Sequence, residues 1–196
     1  MPRTPQFRQL LLLGALGLPG VTGAVRVLPG SPLTPAPFSP APAAAPMTEP
    51  TRWSPPTFEL LVMVRTLLDV TRQDAQVLTP AAPTLRPVLE RLTRQATLSP
   101  AEASAAVQAL DRALSGPQRA QVRATRLKLE QRVNLQLSSS RLARGEGFPD
   151  AVTYRLAFLV PGGQATVAAV RRDAQLNPFL HGVPASALRT LLQNLR

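Results

Sequence analysis

Arg119, Arg123 and Arg126 stand at i, i+4 and i+7 in the segment GPQRAQVRATRLKLEQRVNLQLSSSRLAR. Lys128 and Arg132 lie round the side, and Arg141 and Arg144 close the segment, with Glu130 the only acid between Arg119 and Arg144. Spacings of three and four put side chains on one helical face. A guanidinium is a planar fork that fits carboxylates and phosphates. The chemistry this set could do is therefore contact with an anionic partner: nucleic acid, anionic lipid, a cell-wall polymer or an acidic protein. A competing reading is a solvated face in an Arg-rich chain, since all of its 22 basic residues except Lys128 are Arg. The aromatic residues on which single-stranded bases would stack are missing from the segment.

Other chemistries find less support. Without cysteine there is no disulfide framework, thiol nucleophile, zinc–thiolate site or lipidated cysteine. His181 is the only histidine, which rules out a site built on several imidazoles. A triad drawn through it has no nucleophile elbow or supporting spacing. The eleven acids are scattered from Glu49 to Asp173, without the pairing of a general acid–base couple or a calcium loop. Gly162-Gly163 lacks the lysine and helix of a phosphate loop. The reading is thus of a non-enzymatic protein with no catalytic residue, metal ligand or cofactor.

The elements that must position the basic residues come next. Residues 1–24 read as a secretory signal: Arg3 and Arg8 as the charged start, Leu10 to Leu18 as the apolar stretch, and Thr22-Gly23-Ala24 as a small-residue cleavage site. The apolar run is shorter than the roughly 20 residues that span a bilayer. Export to the periplasm, cell envelope or exterior is expected, with membrane anchoring through an uncleaved signal as the alternative. Residues 25–56 form a Pro/Ala-rich linker, with ten prolines in the 28 residues from Pro29 to Pro56. Such a stretch lacks backbone donors and apolar periodicity and is expected to be extended and disordered, with Trp53 packing onto the domain.

Residues 57–144 read as a helical domain. Phe58 to Val70 is apolar almost all round, the pattern of a buried core helix. Leu85, Val88, Leu89 and Leu92 share one face of a second helix, with Pro87 requiring either a kink or a start at Thr84. Ser99-Pro100-Ala101-Glu102 has the form of a capping box ahead of the apolar stripe Ala103, Ala106, Val107, Leu110, Ala113 and Leu114. Ser115 and Gln118 form a second box, opening the longest helix, which runs to about Arg144. Two helices joined by so short a turn fold back on each other.

Residues 145–196 form a C-terminal segment packing on that domain. Val152, Tyr154, Leu156, Phe158 and Val160 alternate, Pro161-Gly162-Gly163 is a turn, and Thr166 to Val170 could return as a second strand. This reads as a β-hairpin, with a helix over TYRLAFLV as the alternative. VPASALRTLLQNLR is a short amphipathic helix with Leu188, Leu191, Leu192 and Leu195 on one face. The fold class is mainly α: a small helical bundle with a candidate C-terminal β-hairpin, preceded by the linker.

Three pieces together, the Leu-Thr-Pro at Leu78 followed by LRPVLERL, the spaced LSPAE and LSGPQ, and LNPFLHGVPASALRTLLQNLR, resemble a group of uncharacterised exported bacterial helical proteins. The resemblance covers roughly residues 60–196 and implies export and helical architecture, with no activity to carry over. VTYRLAFLVPGGQATVAAV departs from that group's usual Gly-rich connector. Leu114-Ser115-Gly116-Pro117-Gln118 is also similar to the Leu-Thr-x-x-Gln motif of Spy/CpxP-type periplasmic chaperones, with Ser in place of Thr; this implies chaperone activity as a further alternative. A capping box after a leucine produces the same string. The leading expectation is an exported protein of the cell envelope acting through protein or envelope-polymer contacts. Its partner is unknown, and polyanion binding through residues 116–144 is the alternative.

Overall fold

The apolar segment around Phe58 to Val70 forms helix α1, Pro56–Gln73, and the rest of the fold is built around it. The structure is a computed structural model that describes residues 47–139 and 150–196, all within one compact unit, Pro42–Arg196. The expected signal at 1–24, residues 25–46 of the expected linker at 25–56, and Arg141 and Arg144 lie outside the described residues. Phe58, Leu60, Leu61, Val62, Val64, Leu67 and Val70 of α1 are fully buried. A helix apolar all round must be covered all round, and α1 packs against the helices over Pro100–Ala113, Gly116–Ser139, Ala151–Leu159 and Gly182–Asn194. Two of its buried hydroxyls are satisfied within the helix, Thr66 Oγ1 donating to the Val62 carbonyl at 2.8 Å and Thr71 Oγ1 to Leu68 at 2.9 Å, while the buried Thr57 hydroxyl has no partner among the described residues.

A 3-10 helix over Ala75–Ala81 leads into α2, Ala82–Arg94. Leu85, Leu89 and Leu92 are buried as the spacing predicts, with Val88 packed at the edge of the core. The helix starts ahead of Thr84 and runs through Pro87. The N–H that Pro87 lacks would have bonded the Pro83 carbonyl, and residues 83 and 87 are both exposed, where water satisfies what the helix does not.

Helix α3, Pro100–Ala113, opens on the complete capping box. The Ser99 N–H donates to Glu102 Oε2 at 2.8 Å, and the Glu102 N–H to Ser99 Oγ at 3.3 Å. Hydrogen bonds from the Ser99 backbone and side chain hold the Glu102 carboxyl below its ordinary 4.5. Helix α4, Gly116–Ser139, opens on the second box: the Ser115 N–H donates to Gln118 Oε1 at 2.9 Å, and the Gln118 N–H to Ser115 Oγ at 3.5 Å. Gln118 Nε2 also donates to the Val77 carbonyl at 2.8 Å, so this cap ties the start of α4 to the 3-10 helix.

Residues 152–170 are helical, which corrects the β-hairpin expectation. Helix α5, Ala151–Leu159, and helix α6, Gly163–Arg172, pack on each other, and no strand occurs among the described residues. Asp150 decides the outcome locally. Its carboxylate accepts from the Thr153 N–H at 2.8 Å and the Thr153 hydroxyl at 2.6 Å, a strong N-cap. The residues that turn inward are Thr153, Leu156, Leu159 and Val160, at helical spacing, while Val152 and Phe158 of the alternating set are exposed. Gly162 and Gly163 adopt φ of 83° and 61°, so the turn joins helix to helix.

Helix α7, Gly182–Asn194, buries Leu188 and Leu191, with Leu195 just beyond its end, against α1 and α2. The Asn-Pro-Phe segment before it works as a clamp. Asn177 Nδ2 donates to the carbonyls of Leu92 and Gln95 at 2.8 and 2.7 Å, and its Oδ1 accepts the Phe179 N–H at 3.0 Å. A buried Asn thus satisfies carbonyls that the end of α2 leaves open, while Phe179 enters the core. Among the described residues no helix is long and apolar enough to cross a membrane.

Candidate functional site

The end of the segment read as linker is fixed to the domain. Residues 47–55, the nine before α1 and within the stretch read as linker, form an extended strap along α1 and α4. The reason lies in two carboxylates. The Thr51 N–H donates to Glu130 Oε2 at 2.9 Å, and the Trp53 N–H to Glu59 Oε2 at 3.1 Å. The Trp53 side chain is 8% exposed, with the Arg155 guanidinium 5.4 Å from its ring centroid.

Arg126 joins these groups. Its Nη1 bonds Glu59 Oε1, its Nη2 bonds Glu59 Oε2 at 2.9 Å and also the Thr51 carbonyl, and its Nε bonds Glu130 Oε1 at 3.0 Å. Arg126 is 7% exposed and Glu130 is fully buried. Desolvation opposes the guanidinium charge, but the hydrogen bonds and charges of Glu59 and Glu130 outweigh it and raise its pKa above the usual guanidinium range. A group so firmly protonated neither gives nor takes a proton near neutrality. The cluster is a clamp on the strap, not an acid–base couple.

This placement divides the basic set read from the sequence. Arg126 is mostly buried, one helical turn from Glu130 and beneath Glu59, and its charge is committed to those acids, whose burial demands a cation. Arg119 and Arg123 are exposed and partnered, the first by Asp111 at 3.3 Å and the second by Glu49 at 3.3 Å. At about 100° per residue, Lys128 and Arg132 fall on roughly the opposite side of α4 from Arg119. Both are exposed, and neither has an ion pair among the described residues. Arg141 and Arg144 lie outside the described residues. The structure therefore brings Arg119, Arg123 and Arg126 together and leaves Lys128 and Arg132 on a separate face.

Between the strap, α1, α3 and α4 runs a cleft made of two adjoining cavities of about 630 and 320 Å³. The two share Arg52, Glu59, Met63, Asp111 and Arg126. Five arginines line the cleft against three acids, Glu49, Glu59 and Asp111. Among the described residues those acids pair with Arg123, Arg126 and Arg119, and Arg126 is shared with the buried Glu130, so one net positive charge remains, presented by Arg52 and Arg112, which have no ion pair. Arg52 has no bonded partner among the described residues, and Arg112 has one neutral contact, Nη2 to Gln108 Oε1 at 3.1 Å.

The sequence reading missed Arg52, Glu59 and Arg112. A usable indication was present: Glu59 in FELLVMV and Glu130 in LKLEQRV are acids inside apolar runs, and a carboxylate carried into a core demands a cation. His181 is exposed at the residue before α7, and no group of three or more His, Asp or Glu side chains is placed to hold a metal ion among the described residues. Comparison with protein-family models, with curated proteins and with solved structures finds no match.

Proposed function

We propose that this chain is an exported, non-enzymatic protein of the cell envelope that works by contact, as a protein- or envelope-polymer-interaction module for an anionic partner. The observation that carries the reading is the cleft under the strap, where one net positive charge remains, presented by Arg52 and Arg112, which have no ion pair among the described residues. In the chain the strap follows directly on the Pro-rich stretch of residues 29–46. Export rests on the arrangement of Arg3, Arg8, the Leu10 to Leu18 stretch and Thr22-Gly23-Ala24. Cell fractionation with N-terminal sequencing tests it: an envelope or extracellular pool beginning at Val25 is expected, and a cytoplasmic pool that keeps Met1 would overturn it.

A second reading has its own observation. Lys128 and Arg132 are exposed without an ion pair among the described residues, on the face of α4 opposite the cleft, and fit polyanion binding. Lys128→Glu with Arg132→Glu removes salt-sensitive heparin retention under that reading and leaves it intact if the cleft is the contact.

A further inference from the structure

We infer that the cleft is a binding site for a small amphipathic anion, a carboxylate or phosphate head joined to an apolar body, with Arg52 and Arg112 holding the head. This deepens the contact reading above and rests on it. Three observations converge. The larger cavity, at about 630 Å³, falls within the roughly 300–1,000 Å³ of ordinary small-ligand sites. One part of its lining is apolar, with Trp53, Met63 and Val107 on three separate elements. The other part is polar and cationic, with Ser104 and Gln108 beside Arg112 on α3 and Arg52 across from them on the strap.

Charge accounting selects the sign of the head. Glu59 and Asp111, the acids of this cavity, already accept from Arg126 and Arg119; with the buried Glu130 sharing Arg126, one net positive charge remains around the cavity, presented by Arg52 and Arg112, which have no ion pair among the described residues. Guanidinium–oxyanion hydrogen bonds are the stronger, charge-assisted kind. A purely inorganic anion would leave the Trp53, Met63 and Val107 wall uncovered, and a neutral amphiphile would leave both arginines without a counter-charge.

Trp53 is the only tryptophan in the chain and lines this cavity, so ligand entry is read in its fluorescence. Full-length protein is titrated with dodecyl phosphate, dodecanoate and dodecyl maltoside, each below its micelle concentration. A saturable change in Trp53 emission is expected with the two anions and none with the maltoside. Arg52→Gln with Arg112→Gln, at two exposed residues whose sole bond is to Gln108, is expected to weaken the anions by about tenfold or more. Circular dichroism confirms that the double variant keeps its helices. Co-sedimentation with phosphatidic acid vesicles separates the sources: capture dependent on the two arginines supports a lipid headgroup, and response to the monomer alone supports a free amphiphile. Equal response to dodecyl maltoside, no saturable response to either anion, or unchanged affinity in the double variant would overturn the inference. If that happens while Arg52 and Arg112 still govern retention on an anionic resin, the ligand class falls and the contact reading stands.

Discussion

Arg126→Met tests the clamp that holds the strap. The substitution keeps the aliphatic stem and removes the charge, leaving Glu59 and Glu130 close together with no counter-ion. Glu130 is fully buried, and the side chain of Glu59 is 17% exposed, so water cannot fully replace the guanidinium. Removing one partner of a buried ion pair costs about 3–5 kcal/mol. For a domain of this size that is a fall in melting temperature of about 6–20 °C. The loss should depend on pH in a defined direction. Without Arg126 each carboxylate suffers burial and the other's charge, and both effects raise its pKa above the unfolded value. The folded variant then binds protons that the unfolded chain does not, so the deficit is largest near pH 8 and shrinks toward pH 5. Urea unfolding followed by Trp53 emission at both pH values measures this, and a red-shifted native emission is expected as the strap loosens. Adding Glu59→Gln and Glu130→Gln to the variant keeps acceptors for the Thr51 and Trp53 N–H groups and removes the stranded charges; at least half of the lost stability should return. A loss of less than about 1 kcal/mol for Arg126→Met, with unchanged emission and no pH dependence, would refute the clamp.

Four further outcomes follow from the same contacts. Asn177→Ala strands the Leu92 and Gln95 carbonyls and should cost about 2–4 kcal/mol by thermal unfolding; Asn177→Asp, which sets acceptors against those carbonyls, should cost more. Gln118→Ala loses the second cap and the bond to Val77, so it should destabilise more than Ser115→Ala, whose loss should be about 1 kcal/mol. Gly162→Ala places a Cβ against Thr166 Oγ1 at a φ of 83° and should cost about 1–3 kcal/mol, read by chemical denaturation. The Asp150 carboxyl is held well below its ordinary 3.8 by the Thr153 hydroxyl and N–H and then by Arg171; its contribution is present above about pH 4 and fades as acid titrates it below that, so Asp150→Asn should show a shallower acid-induced loss of helicity than the parent chain.

The helices that rest on local physics were legible in the sequence. Both capping boxes form as their Ser, Glu and Gln residues predict, α1 is buried as its apolar run requires, and the leucines of α7 face the core. Pro87 misled only in locating the start of α2. The region around 152–170 was harder because alternation and helical spacing share Leu156, and the Asp150–Thr153 cap that settles the matter lies at the edge of the pattern. The clamp was illegible for a different reason. Arg126 has the same spacing as Arg119 and Arg123, and only the arrival of Glu59 from a helix 67 residues away turns it inward. Charge counted along one helix does not show which arginines a distant acid will claim. For the same reason Arg52 and Arg112, which stand far apart in the chain, could not be paired until the strap was placed over α3.

The central claim, that contact is made at the cleft and not by net charge, is tested most directly by salt-gradient elution of the full chain from a sulfonated resin. Arg52→Gln with Arg112→Gln is compared with Arg172→Gln with Arg196→Gln, which removes the same charge from exposed positions elsewhere. The first double variant is expected to elute at clearly lower salt than the second, which stays close to the parent. Co-elution of the two would contradict the claim.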